Sequence, residues 1–102
     1  MFEKDSMVLA HEKVHFDLAE LYTRKIRKKI LQLNQNGIKN LKEYHKAIDR
    51  IRDENNKADI LFDSQSYGYV LNGKRIENHT QERLVHWQDS IRLELQSLDK
   101  FK

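Results

Sequence analysis

Five residues carry the types and spacing that could do chemistry: His11-Glu12-Lys13-Val14-His15, a His-Glu-x-x-His run. On a helix, two His four apart lie on one face and can grip a single metal ion. The Glu beside the first His then projects toward a metal-bound water and can take its proton. A catalytic zinc needs three protein ligands and one open position. With no Cys in the chain, a thiolate zinc site and a disulfide framework are both excluded. The third ligand must therefore be His or a carboxylate.

Asp63, His79, Glu77, His86 and Glu20 are the candidates. Glu20 lies five residues past His15, about 140° around a helix axis from it, and points away. His86 sits mid-helix beside Trp87, where packing or solvent is the simpler expectation. By residue type His79, at the start of the third predicted helix, is the better ligand. Asp63 has the better position, at the expected end of the second helix, where a side chain can turn toward a neighbour. As ordinary residues, Asp63 would cap a turn and His79 would be exposed. Tyr67, four residues after Asp63, could donate to the oxyanion of a tetrahedral intermediate. The plainer expectation for Tyr67 is a strand aromatic packed on the helices. Asp17 could orient one of the motif His, although a solvated Asp is the simpler reading.

Elements must exist to position these groups. A chain of 102 residues forms one domain with a modest core. Charged residues make up 34%, hydrophobic residues 38%, and there are three Gly and no Pro. That balance favours helices with solvated outer faces. A net charge of +3 is too small to argue for a nucleic-acid partner. The basic run from Arg24 to Lys29 reads as a solvated face. No apolar run of transmembrane length and no signal-peptide core is present.

Apolar spacing predicts a first helix over about residues 6–34, with Val8, His11, His15, Leu18, Tyr22 and Ile26 near one stripe and Val14, Leu21 and Leu33 widening it. Asn34-Gln35-Asn36-Gly37 stops it, Gly37 suiting a left-handed position. Asn40-Leu41-Lys42-Glu43 opens a second helix that reaches about Phe62, its polar stretch from Asp53 to Lys57 bending or fraying. The short connection makes these two helices antiparallel neighbours. Asn72-Gly73 between Tyr67–Leu71 and Lys74–Ile76 predicts a small β-hairpin. A third helix begins near Asn78 or Thr80, with Leu84, Trp87, Ile91, Leu95 and Leu98 as its stripe.

Residues His11 to Arg27, beginning His-Glu-Lys-Val-His-Phe-Asp, resemble the active-site helix of a bacterial domain-of-unknown-function family. That family is described as predicted secreted zinc-dependent proteases of zincin-like type. Phe62-Asp63-Ser64-Gln65-Ser66 is similar to the family's aromatic-Asp-x-x-Thr element, and Trp87-x-x-x-Ile91 to its W-x-x-x-I. The resemblance covers nearly the whole chain and is most specific in the first third. It implies zinc held by His11 and His15, Glu12 as general base, and an exported or periplasmic location. Asp63 matches the family directly and is preferred as third ligand. His79 matches only if the hairpin is an insertion looped out of the pattern. Family members carry sequence upstream of the motif helix, where zincins hold peptide on a sheet edge. Ten residues precede His11 here, so a fragment, or a reduced unit without that substrate platform, is expected.

The resulting expectation is a mainly α, three-helix domain spanning residues 1–102, with a long HExxH helix and a small β-hairpin between helices two and three. Its expected function is peptide hydrolysis by a zinc-activated water, with Glu12 as base and Zn2+ as cofactor. Its expected partner is a peptide or protein substrate. The alternative is a non-catalytic helical module that binds another protein through the hairpin edge or the basic face.

Overall fold

The computed structural model describes residues 4–66, 69–71, 74–76 and 80–102, with side chains described over 9–65 and 82–102. The protein is mainly α, built on three helices: α1 (Lys4–Gln35), α2 (Leu41–Ser66) and α3 (Thr80–Ser97), followed by a 3-10 turn at Asp99–Phe101. Two three-residue strands, β1 (Tyr69–Leu71) and β2 (Lys74–Ile76), pair antiparallel between α2 and α3, with Val70 opposite Arg75. The predicted Asn72-Gly73 turn lies outside the described residues.

α1 runs unbroken because nothing in residues 4–35 interrupts it: the stretch has neither Pro nor Gly. Its stop is chemical. Ile38 N–H donates to Leu33 O at 3.0 Å and Gly37 N–H to Asn34 O at 3.1 Å. With Gly37 at φ +71°, this is a Schellman closure of the helix end. A Cβ at Gly37 would meet nothing within 4 Å. Gly37→Ala therefore costs only the left-handed backbone penalty of about 1–2 kcal/mol. The check is urea unfolding, where the midpoint should fall at unchanged slope.

Asn40 opens α2, its Oδ1 accepting the Lys42 N–H at 3.0 Å. The second helix departs from expectation at its other end. It neither frays between Asp53 and Lys57 nor ends at Phe62, but continues to Ser66. Two contacts supply the reason. Asp53 and Lys57 pair along one face at 3.0 Å. Beyond them, Phe62 is fully buried and Gln65 accepts the Trp87 Nε1–H at 2.9 Å, which ties the last turn to α3. Asp63 consequently projects from within a helix rather than from a helix end.

α1 and α2 run antiparallel, as the pairs His11–Asp63 and His15–Asp59 require. α3 returns parallel to α1: Trp87 contacts Phe62 near the motif, and Leu95 O accepts from Arg24 further along. The core comprises Val14, Leu18 and Leu21 of α1, Phe62 of α2, Leu84 and Ile91 of α3, and Leu98 after it. Only the C-terminal end of α2 joins this core. The molecule measures 54 × 29 × 17 Å. Phe62 is the buried core residue that α2 contributes, so most of the apolar side chains of α2 lie outside the core. Leu41 and Ile60, both on α2, are accordingly 72% and 70% exposed.

The basic run is not simply solvated. Arg24 Nη1 donates to Leu95 O at 2.7 Å and Arg27 Nη1 to Phe101 O at 3.1 Å. These cations serve carbonyls at and beyond the end of α3, where the helix dipole is negative. Lys25 reaches Glu94 at 3.3 Å. Lys28 and Lys29 remain exposed. No helix among the described residues is long and apolar enough to cross a membrane.

Candidate metal centre

Where α1 crosses the C-terminal turns of α2, four side chains converge. His11 Nε2 and His15 Nε2 each lie 2.7 Å from the same oxygen, Asp63 Oδ1. The two Nε2 atoms are 3.2 Å apart. On its other side His15 presents Nδ1 to Asp59 Oδ1 at 2.7 Å. The helical period explains this convergence. His11 and His15 are four apart on α1, Asp59 and Asp63 four apart on α2, and antiparallel packing sets one pair against the other.

Phe62 forms the floor. Its ring stacks on His11 with centroids 4.5 Å apart and meets His15 edge-on at 5.2 Å. Trp87 lies behind it, also at 5.2 Å. The cluster is graded in depth. The side chain of His11 is 4% exposed, that of His15 25%, and that of Asp63 48%. A cation held here would rest on an apolar base and face solvent on one side.

The donor set fits zinc. Two imidazole nitrogens and one carboxylate oxygen are ordinary zinc ligands at about 2.0–2.2 Å, which in tetrahedral geometry places donors about 3.3 Å apart. Of the observed separations of 2.7, 2.7 and 3.2 Å, the first two would have to open by about 0.6 Å and the third by about 0.1 Å. Three such residues could hold a metal ion. Without a cation, Asp63 Oδ1 can accept an N–H from each Nε2, one per lone pair. A cation at their centre replaces both protons.

Electrostatics set the pH dependence. Burial alone would lower the His15 pKa, but the hydrogen bonds and negative charges of Asp59 and Asp63 outweigh it and raise the pKa above 6.5. A raised His pKa stabilises the metal-free fold fully below the unfolded value and loses that contribution as pH climbs through the folded value. Metal uptake runs the other way, because the ligand nitrogen must be deprotonated. In an NMR titration of metal-free protein, His15 should therefore titrate above the ordinary His value. Asp59→Ala should bring it down, and zinc uptake should rise across the same pH window.

The structure brings together His11, His15 and Asp63. Glu12, next to His11, is exposed and stays on the solvent side. Tyr67, His79 and Glu77 lie outside the residues whose placement is described. Glu20 pairs with Arg24 at 2.9 Å, turned from the cluster as its helical angle requires. His86 is exposed on α3. Asp17 approaches Lys13 at 3.6 Å. The carboxylate behind His15, at Nδ1, is instead Asp59, a residue absent from the sequence candidates. A signal for it existed: Asp59-x-x-x-Asp63 repeats the spacing of His11-x-x-x-His15, and two predicted antiparallel helices carry them.

Comparison with known proteins places most of this region in one family. The family described as "Bacterial protein of unknown function (DUF922)" matches residues 5–68, more than half of the chain and the part that carries all four converging residues. No curated protein and no solved structure matches the chain.

Proposed function

The chain belongs to the DUF922 family of bacterial proteins, and from that premise we propose that it is a zinc-dependent peptidase-like unit. The observation that carries this reading is the meeting of His11 Nε2, His15 Nε2 and Asp63 Oδ1 within 3.2 Å, on a helix pair that also presents Glu12. His11, His15 and Asp63 would hold the ion. When bound, zinc supplies a water ligand with pKa near 7 and polarises a carbonyl oxygen.

The remaining work falls to the chain itself. Glu12 is exposed and lies about 60° from His15 around α1, so its carboxylate is available on the open side of the cluster. In the proposed reaction a Glu12 oxygen accepts the proton of the attacking water and later delivers it to the leaving amine nitrogen. The buried Phe62 face keeps the inner side of the site dry and the imidazoles in place. Tyr67 as an oxyanion donor, and His79 as a replacement for Asp63, belong to the same proposal and stand on sequence alone.

The test pairs metal content with hydrolysis. Wild-type protein should retain one equivalent of zinc after removal of excess and cleave an unstructured peptide. Glu12→Gln should retain the zinc and lose cleavage by about 10²–10⁴-fold, the usual worth of a general base. Zinc that binds without any cleavage by wild type would leave a metal-stabilised binding module instead. Failure of the wild-type protein to take up stoichiometric zinc would end the metal reading.

A further inference from the structure

We infer that Asp59 is the positioning residue for His15, setting which ring nitrogen carries the proton and so which one faces the metal. The inference rests on the zinc-centre reading and adds a residue to it. Neutral imidazole has one N–H donor and one lone-pair acceptor, and a carboxylate can only accept. Nδ1 lies 2.7 Å from Asp59 Oδ1 and Nε2 2.7 Å from Asp63 Oδ1, so an ion shared by Nε2 and Asp63 would leave the single proton of the neutral ring on Nδ1, donated to Asp59. The Nε2 lone pair then points at the space shared by His11 Nε2 and Asp63 Oδ1.

Asp59 and Asp63 thus have separate tasks despite their like chemistry. Asp63 faces both Nε2 atoms and occupies a ligand position, whereas Asp59 contacts His15 from behind. Asp59 and Asp63 are four apart on one continuous helix, so the hydrogen bond that orients the ring and the third donor move as one rigid piece. This also gives the extension of α2 past Phe62 a purpose: a helix broken before Asp63 would uncouple the two. Hydrogen-bonded carboxylates behind a metal-bound His raise its basicity, and their loss costs about 10–100-fold in metal affinity.

The test compares wild type, Asp59→Asn and Asp59→Ala. Long-range 1H–15N spectra of metal-free Asp63→Ala protein at alkaline pH, in which Asp59 is the remaining carboxylate on His15, should show His15 protonated at Nδ1, and the Asp59 changes are read on that background. Asp59→Asn should keep this form, because its amide oxygen still accepts, and Asp59→Ala should lose it. Asp59→Ala should still bind one zinc, about 10–100-fold more weakly, with the Asn variant between it and wild type. An Asp59→Ala change that alters neither the tautomer nor the zinc affinity overturns the inference. So does one that loses the zinc equivalent altogether, since that would make Asp59 a ligand. If wild type takes up no zinc, the metal reading falls, while the tautomer spectra still decide the role of Asp59. Position 59 is partly exposed on a helix and Ala is a strong helix former, so the variant should fold.

Discussion

Asp63→Ala should take up zinc far more weakly than the wild-type protein, with the largest loss of affinity of any change on α2. Asp63 Oδ1 is the one carboxylate oxygen within 2.7 Å of both Nε2 atoms among the described residues. Removing it leaves two imidazoles on one helix, one ligand fewer than a catalytic zinc site requires. Loss of a supporting hydrogen bond behind a ligand costs about 10–100-fold, and loss of a ligand must exceed that. Competition against a chromophoric chelator measures it directly. In the metal-free protein the same change removes two charge-assisted hydrogen bonds from a half-exposed carboxylate, a cost of about 1–2 kcal/mol after solvent screening. The zinc effect should therefore outrun the stability effect. A variant that kept one zinc at wild-type affinity would move the third ligand elsewhere, with His79 the first residue to substitute next.

Phe62→Ala should be the most destabilising single change in the helix bundle. Phe62 is 0% exposed and touches His11, His15 and Trp87 through its ring. Truncation of a buried Phe costs about 3–5 kcal/mol, a large part of the roughly 5–15 kcal/mol that holds a small domain together. At about 4–8 °C per kcal/mol, the metal-free melting temperature should fall by well over ten degrees. Zinc at a thousandfold excess over its Kd should return about 4 kcal/mol, provided that the ligands still converge. Scanning calorimetry with and without zinc reads both numbers. Phe62→Leu, which keeps most of the volume, serves as the folded control: it should lose less stability and retain zinc binding. A Phe62→Ala protein that melts like wild type would show that the aromatic floor carries little of the fold.

Several features were readable without a structure, each for a local reason. His11-Glu12-x-x-His15 is legible because helical spacing alone puts two His on one face. The α1 stop at Gly37 and the α2 start at Asn40 are legible because caps are local hydrogen-bond chemistry. The family pattern across the first two helices was legible in residues such as Phe16-Asp17 and Phe62-Asp63. Phe16 itself is 75% exposed, so its place in that pattern says nothing of burial.

What local reasoning misjudged depended on partners distant in sequence. The polar residues of α2 argue for fraying before Phe62, yet the turn that follows is held by Trp87 of α3, 22 residues from Gln65. Arg24 and Arg27 read as a solvated charge run, yet they serve carbonyls more than 70 residues away. Asp59, a lone Asp on a polar helix, carries no signal until another helix is set against it.

Residue order is enough to define the chemistry on offer: two imidazoles in register, a carboxylate beside the first, and helices long enough to present them. With no Cys, it also narrows any metal site to nitrogen and oxygen ligands. Only the tertiary structure decided which carboxylates meet those imidazoles. That choice depends on the antiparallel register of α1 against α2, in which Phe62 is buried with Val14, Leu18, Leu21 and Leu84 and packs its ring on His11 and His15. A shift of α2 by one residue would rotate Asp59 and Asp63 by about 100° and carry both away from His11 and His15.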